Sequence, residues 1–408
     1  MSLVPPSEGP AVPPMPPDPG EPTLPPLTVA PDPRRALAHR VVRVRQPTPP
    51  PMNRRDFIAT TTLAAAGLAA TQLPARAAAA PLTDAKGARI KLGMDNFAVR
   101  ACGWKGRELV DYAAGLKLDT LFITDRPGLG SLEIAPAQEL RRYAADKGIG
   151  IQLGSWSICP TSKSFKKDWG TAEEHLTLGI KLAKAVGSDV FRVVLGSRDD
   201  RKTPGGIEAR IADTVKVLKS RRGLAIDSGV RITVENHAGD MTATELVGLI
   251  KQAGKDYVGA NMDSGNALWT LDDPMDSLEK LGAYASSTSL RDGTVWETEK
   301  GCKVQWTAHG DGTACDLKAY FARYAQLCPG VPVNVETIGG FVVEFPYLDP
   351  SFWSAFPKKS GAEFAKFLSV AKRGKAIAQY DGGSKERQKQ ELEKSIRFLR
   401  EEIGLGTK

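Results

Sequence analysis

From residue 90 onward, short apolar runs alternate with longer stretches in which apolar positions recur every three or four residues. Short runs bounded by turn formers read as buried strands, and the wider spacing reads as amphipathic helices. Strands are predicted at 90–94, 120–124, 150–154, 190–195, 230–235, 258–263, 284–290 and 331–337. Helices are predicted between them at 106–116, 137–146, 172–186, 207–218, 243–252, 275–281 and 316–327. Eight strands alternating with seven helices over about 250 residues fit an α/β fold, a single-domain (β/α)₈ TIM barrel. An open doubly wound sheet is the rival, but it carries a glycine fingerprint after its first strand, and Met94-Asp95-Asn96-Phe97 has none. Beyond the eighth strand, Ser360-Gly361-Ala362-Glu363 is a capping box that opens a helix through residue 371. A highly charged helix follows at 385–402. One of the two completes the barrel and the other packs outside it. The barrel is therefore drawn over 88–345, with a C-terminal helical extension over 346–408.

The front of the chain follows a different pattern. Of its 29 prolines, 17 fall in residues 1–51, a segment with few apolar side chains to bury and many missing backbone donors. Residues 52–80 then run from Arg54-Arg55 through an apolar stretch at 57–70 to a small-residue cleavage site ending at Ala77 or Ala79. That order is the order of an export signal. The paired arginines followed by Asp56-Phe57-Ile58 resemble a twin-arginine signal, which implies the twin-arginine translocase as a transient partner and a periplasmic location. Because such a signal stands at an N-terminus, translation is expected to start at Met52. A genuine disordered extension over 1–51 is the alternative.

Removing that front part also changes the charge. Residues 1–80 carry eight arginines and five acidic residues, so the +8 of the whole chain becomes +5 for the rest. No Lys/Arg-rich run with interleaved aromatics occurs in the globular part, which argues against a nucleic-acid partner. Five cysteines without a CxxC exclude a zinc ribbon and a disulfide framework. Cys302 and Cys315, as close in sequence as Cys315 and Cys328, are the pair expected for a single bridge in an oxidising compartment.

In a barrel of this kind the functional groups sit at the C-terminal ends of the strands. The fifth strand ends Thr233-Val234-Glu235-Asn236-His237, and period two turns Thr233 and Glu235 toward the barrel axis. Asn261 and Asp263 stand in the same phase on the sixth strand, and Asn334 and Glu336 on the eighth. Three carboxylates thus converge, with no Lys or Arg expected at their level. A divalent cation is the economical way to neutralise them, and capping by backbone amides or helix N-termini is the alternative.

These residues carry a family resemblance. Val234-Glu235-Asn236-His237, Asp263-Ser264-Gly265-Asn266, Gly310-Asp311-Gly312 and Val335-Glu336 resemble, in order and spacing over 90–341, the sugar phosphate isomerase/epimerase family of xylose-isomerase-like barrels. The resemblance implies one divalent metal ion held by Glu235, Asp263 and Glu336. It also implies that Glu235 and Glu336 act as an acid/base pair exchanging a proton beside a carbonyl. The family usually has His-x-Lys-Asp at the seventh strand, where this chain has Ser289-Leu290-Arg291-Asp292. His309 or Gln305 is the expected substitute donor, and an oxygen-rich set favours Mn²⁺ or Mg²⁺ over Co²⁺ or Zn²⁺.

Other candidates surround that centre. His237, Asn266, Arg192, Trp156 and Gln305 are expected to contact substrate, with a buried charge partner as the alternative role for Arg192, whereas His175 reads as an exposed helix residue. Trp156, Trp269 and Trp306 follow strand ends and offer faces to sugar C–H surfaces. The expected activity is isomerisation or epimerisation of an unphosphorylated sugar, keto-sugar or cyclitol through an enediolate, since export argues against phosphorylated substrates. A lyase or dehydratase acting on a keto-sugar or 3-keto-glycoside uses the same enolate and stands beside it. So does a noncatalytic sugar-binding barrel. Endonuclease IV shares the fold, but its three-zinc site needs many histidines, and only His175, His237 and His309 follow residue 80. Self-association is left open by the sequence.

Overall fold

The computed structural model describes residues 79–408. The proline-rich segment at 1–51 and all of the signal except Ala79 and Ala80 lie outside the described residues. The barrel strands are β1 (Leu92–Asp95), β2 (Thr120–Ile123), β3 (Gly150–Ser157), β4 (Val190–Val194), β5 (Arg231–Glu235), β6 (Val258–Met262) and β7 (Ala285–Thr288). A hairpin of β8 (Asp292–Thr298) and β9 (Gly301–Thr307) follows, then the eighth barrel strand, β10 (Val333–Val335), and β11 (Val342–Phe345). The helices are α1 (Gly106–Gly115), α2 (Ile134–Asp146), α3 (Ala172–Val186), α4 (Gly206–Ser220), α5 (Ala243–Ala253), α6 (Pro274–Leu281), α7 (Leu317–Leu327), α8 (Gly361–Arg373) and α9 (Lys385–Phe398), with short helical turns between.

Side chains of the barrel strands are buried on both faces, which is why those segments read as near-continuous apolar runs. The parallel sheet runs β10-β1-β2-β3-β4-β5-β6-β7. It closes just past β7, where Leu290 N–H donates to Asn334 O at 2.8 Å and Glu336 N–H to Leu290 O at 2.9 Å. Inward polar side chains pair across the axis instead of facing each other unsatisfied. Thr120 donates to Asn334 at 2.8 Å, Asn334 to Gln152 at 2.9 Å and Ser287 to Asn261 at 2.7 Å. Helix starts follow their capping residues. Thr171 with Glu174 opens α3 and Thr242 with Glu245 opens α5, each as a reciprocal box.

The segment expected as a loop insertion after the seventh strand is instead a second sheet. Strands β8, β9 and β11 pair antiparallel in the order β11-β9-β8. Val295, Val304, Trp306 and Phe345 face a second core completed by Trp269 and by Phe367 and Val370 of α8. Leu392 and Ile396 of α9 join the barrel core. Helix α9 therefore completes the barrel, and α8 packs outside on the small sheet. The chain end returns to the N-terminal ends of the strands, where Gly406 N–H donates to Ile90 O and Thr407 N–H to the Asp119 carboxylate, both at 2.9 Å. All five cysteines are free, so no bridge joins Cys302 to Cys315.

Candidate functional site

The barrel ends bring Glu235, Asp263 and Glu336 together, with one oxygen from each lying within 4.8 Å of the others. All three are buried. Asp263 caps the short helical turn after β6, accepting from Gly265 N–H at 2.8 Å and Asn266 N–H at 2.9 Å. Asn266 also donates to Asp263 at 2.8 Å and to Glu235 at 3.2 Å. Asn236 links the same strand ends, donating to Asp263 O at 2.8 Å.

The expectation that no cation shares this level is corrected. Arg192, pointing inward from β4, places Nε 2.6 Å from Glu235 Oε2 and donates from Nη1 to Ser155 O at 2.7 Å. Arg291, two residues beyond Ser289 and in phase with it, places Nη1 2.8 Å from Asp263 and Nη2 2.6 Å from Glu336. Both arginines are buried. Burial pushes the Asp263 carboxyl well above the usual carboxylate range against the pull of Arg291, and Glu235 and Glu336 push the same way.

A fourth carboxylate was not singled out in the sequence. Asp95, at the end of β1 and in phase with Gly93, accepts from Thr124 Oγ1 at 2.7 Å and Ser289 Oγ at 2.9 Å. Burial, with Glu336 nearby, pushes its carboxyl up to about 8. The period-two argument that selects Glu235 also selects Asp95 and Arg291. Ser289 is thus committed to Asp95 and also accepts from Asn261 at 3.2 Å.

The remaining candidates are dispersed. His237 is half-buried and donates from Nδ1 to Gly196 O at 2.7 Å, its ring edge-on to Trp156 at 5.1 Å. Burial and then Arg192 depress its pKa to about 3. His309 lies outside the carboxylate group, beside α9, where its backbone N–H donates to Ser395 at 2.9 Å. Gln305 is buried in the small sheet, its Nε2 3.5 Å from Ala378 O. Neither adds a donor to the three carboxylates. His175, expected to be exposed, is 3% exposed, because the box that starts α3 turns its face toward β3. Its Nε2 lies 2.7 Å from Ser155 Oγ.

A cavity of about 790 Å³ opens over the ends of β1, β2 and β3. Phe97, Trp156 and Trp169 supply rings to its lining, and Thr124, Ser155 and Lys166 supply polar groups. The carboxylates do not line it. Ser155 is the link, since it lines the cavity and its carbonyl holds Arg192.

The divalent ion implied by the resemblance does not fit this donor set. Two of the three carboxylates already share a guanidinium, the third is paired with Arg192, and the seventh strand supplies a hydroxyl bound to Asp95.

A family profile described as Xylose isomerase-like TIM barrel matches residues 98–354. No curated protein matches the chain. Among solved structures, D-psicose 3-epimerase with D-tagatose from Clostridium cellulolyticum H10 is 14% identical, with 78% of this chain and 100% of that one covered at a TM-score of 0.52. A D-psicose 3-epimerase in the presence of D-fructose is also 14% identical, covering 77% and 100% at 0.51. At these identities the likeness is one of fold.

Proposed function

We propose that this chain, which belongs to the xylose isomerase-like TIM barrel family, is an isomerase or epimerase of a small unphosphorylated sugar, keto-sugar or cyclitol. The observation that carries the reading is the pair Glu235 and Glu336, held within 4.8 Å beside a third carboxylate at the C-terminal end of the barrel. Proton transfer next to a carbonyl needs one group to take the proton and another to return it. Glu336 meets one guanidinium, whereas Glu235 accepts from Arg192, Asn261 and Asn266. The carboxylate with fewer donors committed to it is freer to meet a substrate proton, so Glu336 takes the proton and Glu235 holds the opposite face. The cavity over β1–β3 has rings that suit sugar C–H faces, and Ser155, which lines it, connects it to the Arg192–Glu235 pair. Family membership and the two D-psicose 3-epimerases of like fold support the reaction class. Export by a twin-arginine signal belongs to the same reading and makes the substrate unphosphorylated.

The test is proton exchange. The purified chain is incubated in heavy water with a panel of free ketohexoses, pentuloses and keto-inositols and followed by NMR. Deuterium enters the carbon beside the carbonyl, and Glu336→Gln lowers that rate by a factor of about 10² or more. Release of water or an aglycone moves the reading to a lyase. Absence of exchange with the whole panel, in a protein that binds one of these sugars, makes it a noncatalytic barrel.

A further inference from the structure

We infer that Arg291 is a built-in cation standing where a divalent metal ion would sit, so that the carboxylate centre takes no metal. The inference deepens the proposed function where it concerns the reaction, while its claim about metal stands on the side chains alone.

Both terminal nitrogens of the guanidinium are held, while Nε is buried without a partner. Nη1 lies 2.8 Å from both Asp263 and Asn266 Oδ1, and Nη2 lies 2.6 Å from Glu336. Its carbon stands 4.4 Å from the centre of the Trp306 ring. Trp306 stacks on Trp269 at 4.4 Å with an 8° tilt, and Arg198 lies over the Trp269 ring at 5.6 Å. Stacked rings with a guanidinium over each are favourable, because each cation faces a negative π surface. Trp306 is fixed in turn by its Nε1–H, which donates to Gly265 O at 3.0 Å.

Gly265 is part of the same fit. A Cβ at that position would lie 2.7 Å from Arg291 Cβ and 3.0 Å from Trp306 Nε1. Only a residue without a side chain lets the arginine and the indole close over the turn that carries Asp263. The Arg291 backbone is also anchored, its N–H donating to Ser264 Oγ at 3.1 Å. Burial acts against its charge, yet Asp263 and Glu336 hold the guanidinium above its ordinary value.

A metal ion among the three oxygens would stand next to this fixed positive charge, in a site where water does not screen the repulsion. The seventh strand would offer it only a hydroxyl, and that hydroxyl is committed to Asp95. With a sugar bound, the same guanidinium offers its N–H groups to the oxygen on which charge develops as Glu336 takes the proton, a role of fixed electrostatic stabilisation.

The experiment uses the full chain, freed of metal with chelator and titrated with MnCl₂, the free ion being read by electron paramagnetic resonance and the heat by calorimetry. Wild type is expected to bind no stoichiometric Mn²⁺. Arg291→Ala and Ser289→His/Arg291→Ala, which open the cation position, are expected to bind it at least about tenfold more tightly than wild type does. One Mn²⁺ held per wild-type chain, as tightly as in the variants, overturns the inference. If the variants do not fold, as judged by circular dichroism, the wild-type titration decides alone. The two readings fail separately. Deuterium exchange abolished by chelator sinks the metal-free site and leaves the isomerase, whereas no exchange and no Mn²⁺ binding sinks the isomerase and leaves the cation.

Discussion

Replacing Arg192 with methionine tests whether the charges at the barrel mouth depend on one another. Arg192 and Glu235 are 4% and 0% exposed at their side chains, with Nε 2.6 Å from the carboxylate. Without the guanidinium, Glu235 keeps only the amide donors of Asn261 at 2.7 Å and Asn266 at 3.2 Å, and Ser155 O loses its partner. Removing one member of a buried pair costs about 3–5 kcal/mol, because the other charge stays behind without compensation. The variant carboxyl then binds a proton more readily in the native state than in the unfolded chain. A raised native pKa gives stability that is full below the unfolded value and lost as pH rises through the native one. Protonation relieves a buried carboxylate that has lost its cation, so the loss at pH 8 should largely disappear by pH 5. Urea unfolding followed by circular dichroism at both pH values measures it. The double variant Arg192→Met/Glu235→Met should return to within about 1 kcal/mol of wild type. A loss below about 1 kcal/mol at pH 8, or an equal loss at both pH values, refutes the reasoning.

Two further substitutions probe groups away from the centre. Burial depresses His175 to about 4. Below the unfolded value near 6.5 the unfolded chain gains a proton that the native chain does not, and native stability falls. His175→Gln should lower the slope of stability against pH between 4.5 and 6 by about 1.4 kcal/mol per unit, in chemical denaturation at stepped pH, and an unchanged slope counts against the buried neutral imidazole. Gly374 ends α8 so close to β8 that an added Cβ would stand 1.5 Å from Val295 O. Gly374→Ala should cost about 1–3 kcal/mol by forcing α8 off the small sheet, and a melting temperature equal to wild type would contradict that packing.

The barrel was legible because its strands are apolar on both faces and its helices carry their own start signals. Helix α3 spans the predicted residues from Ala172 to Val186, bounded by the Thr171 box and by Gly187 at φ 82°. The strand-end carboxylates were legible because period two and the barrel rule together fix which way Glu235, Asp263 and Glu336 point. The small sheet was not, since β8 and β9 follow a seventh strand whose end the pattern does not mark, and Glu299-Lys300 between them is not a strong turn pair. In Ser289-Leu290-Arg291-Asp292 the missing histidine is one feature and Arg291 is another, since it stands two residues beyond Ser289 in the same phase and turns toward the same axis. Asp292 explains the glycines of the next motif, because its carboxylate accepts from Gly310 N–H at 3.0 Å and Gly312 N–H at 3.1 Å.

Ser289 and Arg291 make one physical statement when their charges are counted together. Three carboxylates held by a single divalent ion carry a net charge of −1, and the same three held by Arg192 and Arg291 also carry −1. That count takes all three as ionised; Asp95, pushed up to about 8, holds its proton near neutral pH, and burial pushes Asp263 the same way, which brings the two-arginine centre closer still to neutral. A divalent ion added to both guanidinia would take the centre to +1 in a buried site, with positive charges packed against one another. A buried group of charges is tolerated best when its members pair and their remaining hydrogen-bonding positions are filled; Asn261, Asn266 and the amides at Asp263 do this for Glu235 and Asp263, while Arg291 Nε keeps an unfilled position. The family's lysine at the position of Arg291 is also a cation, so what differs here is the serine at 289 together with a forked guanidinium that reaches Asp263 and Glu336 at once. A serine at 289 leaves the centre without its nitrogen donor, and the guanidinium ties two of the carboxylates together in its place.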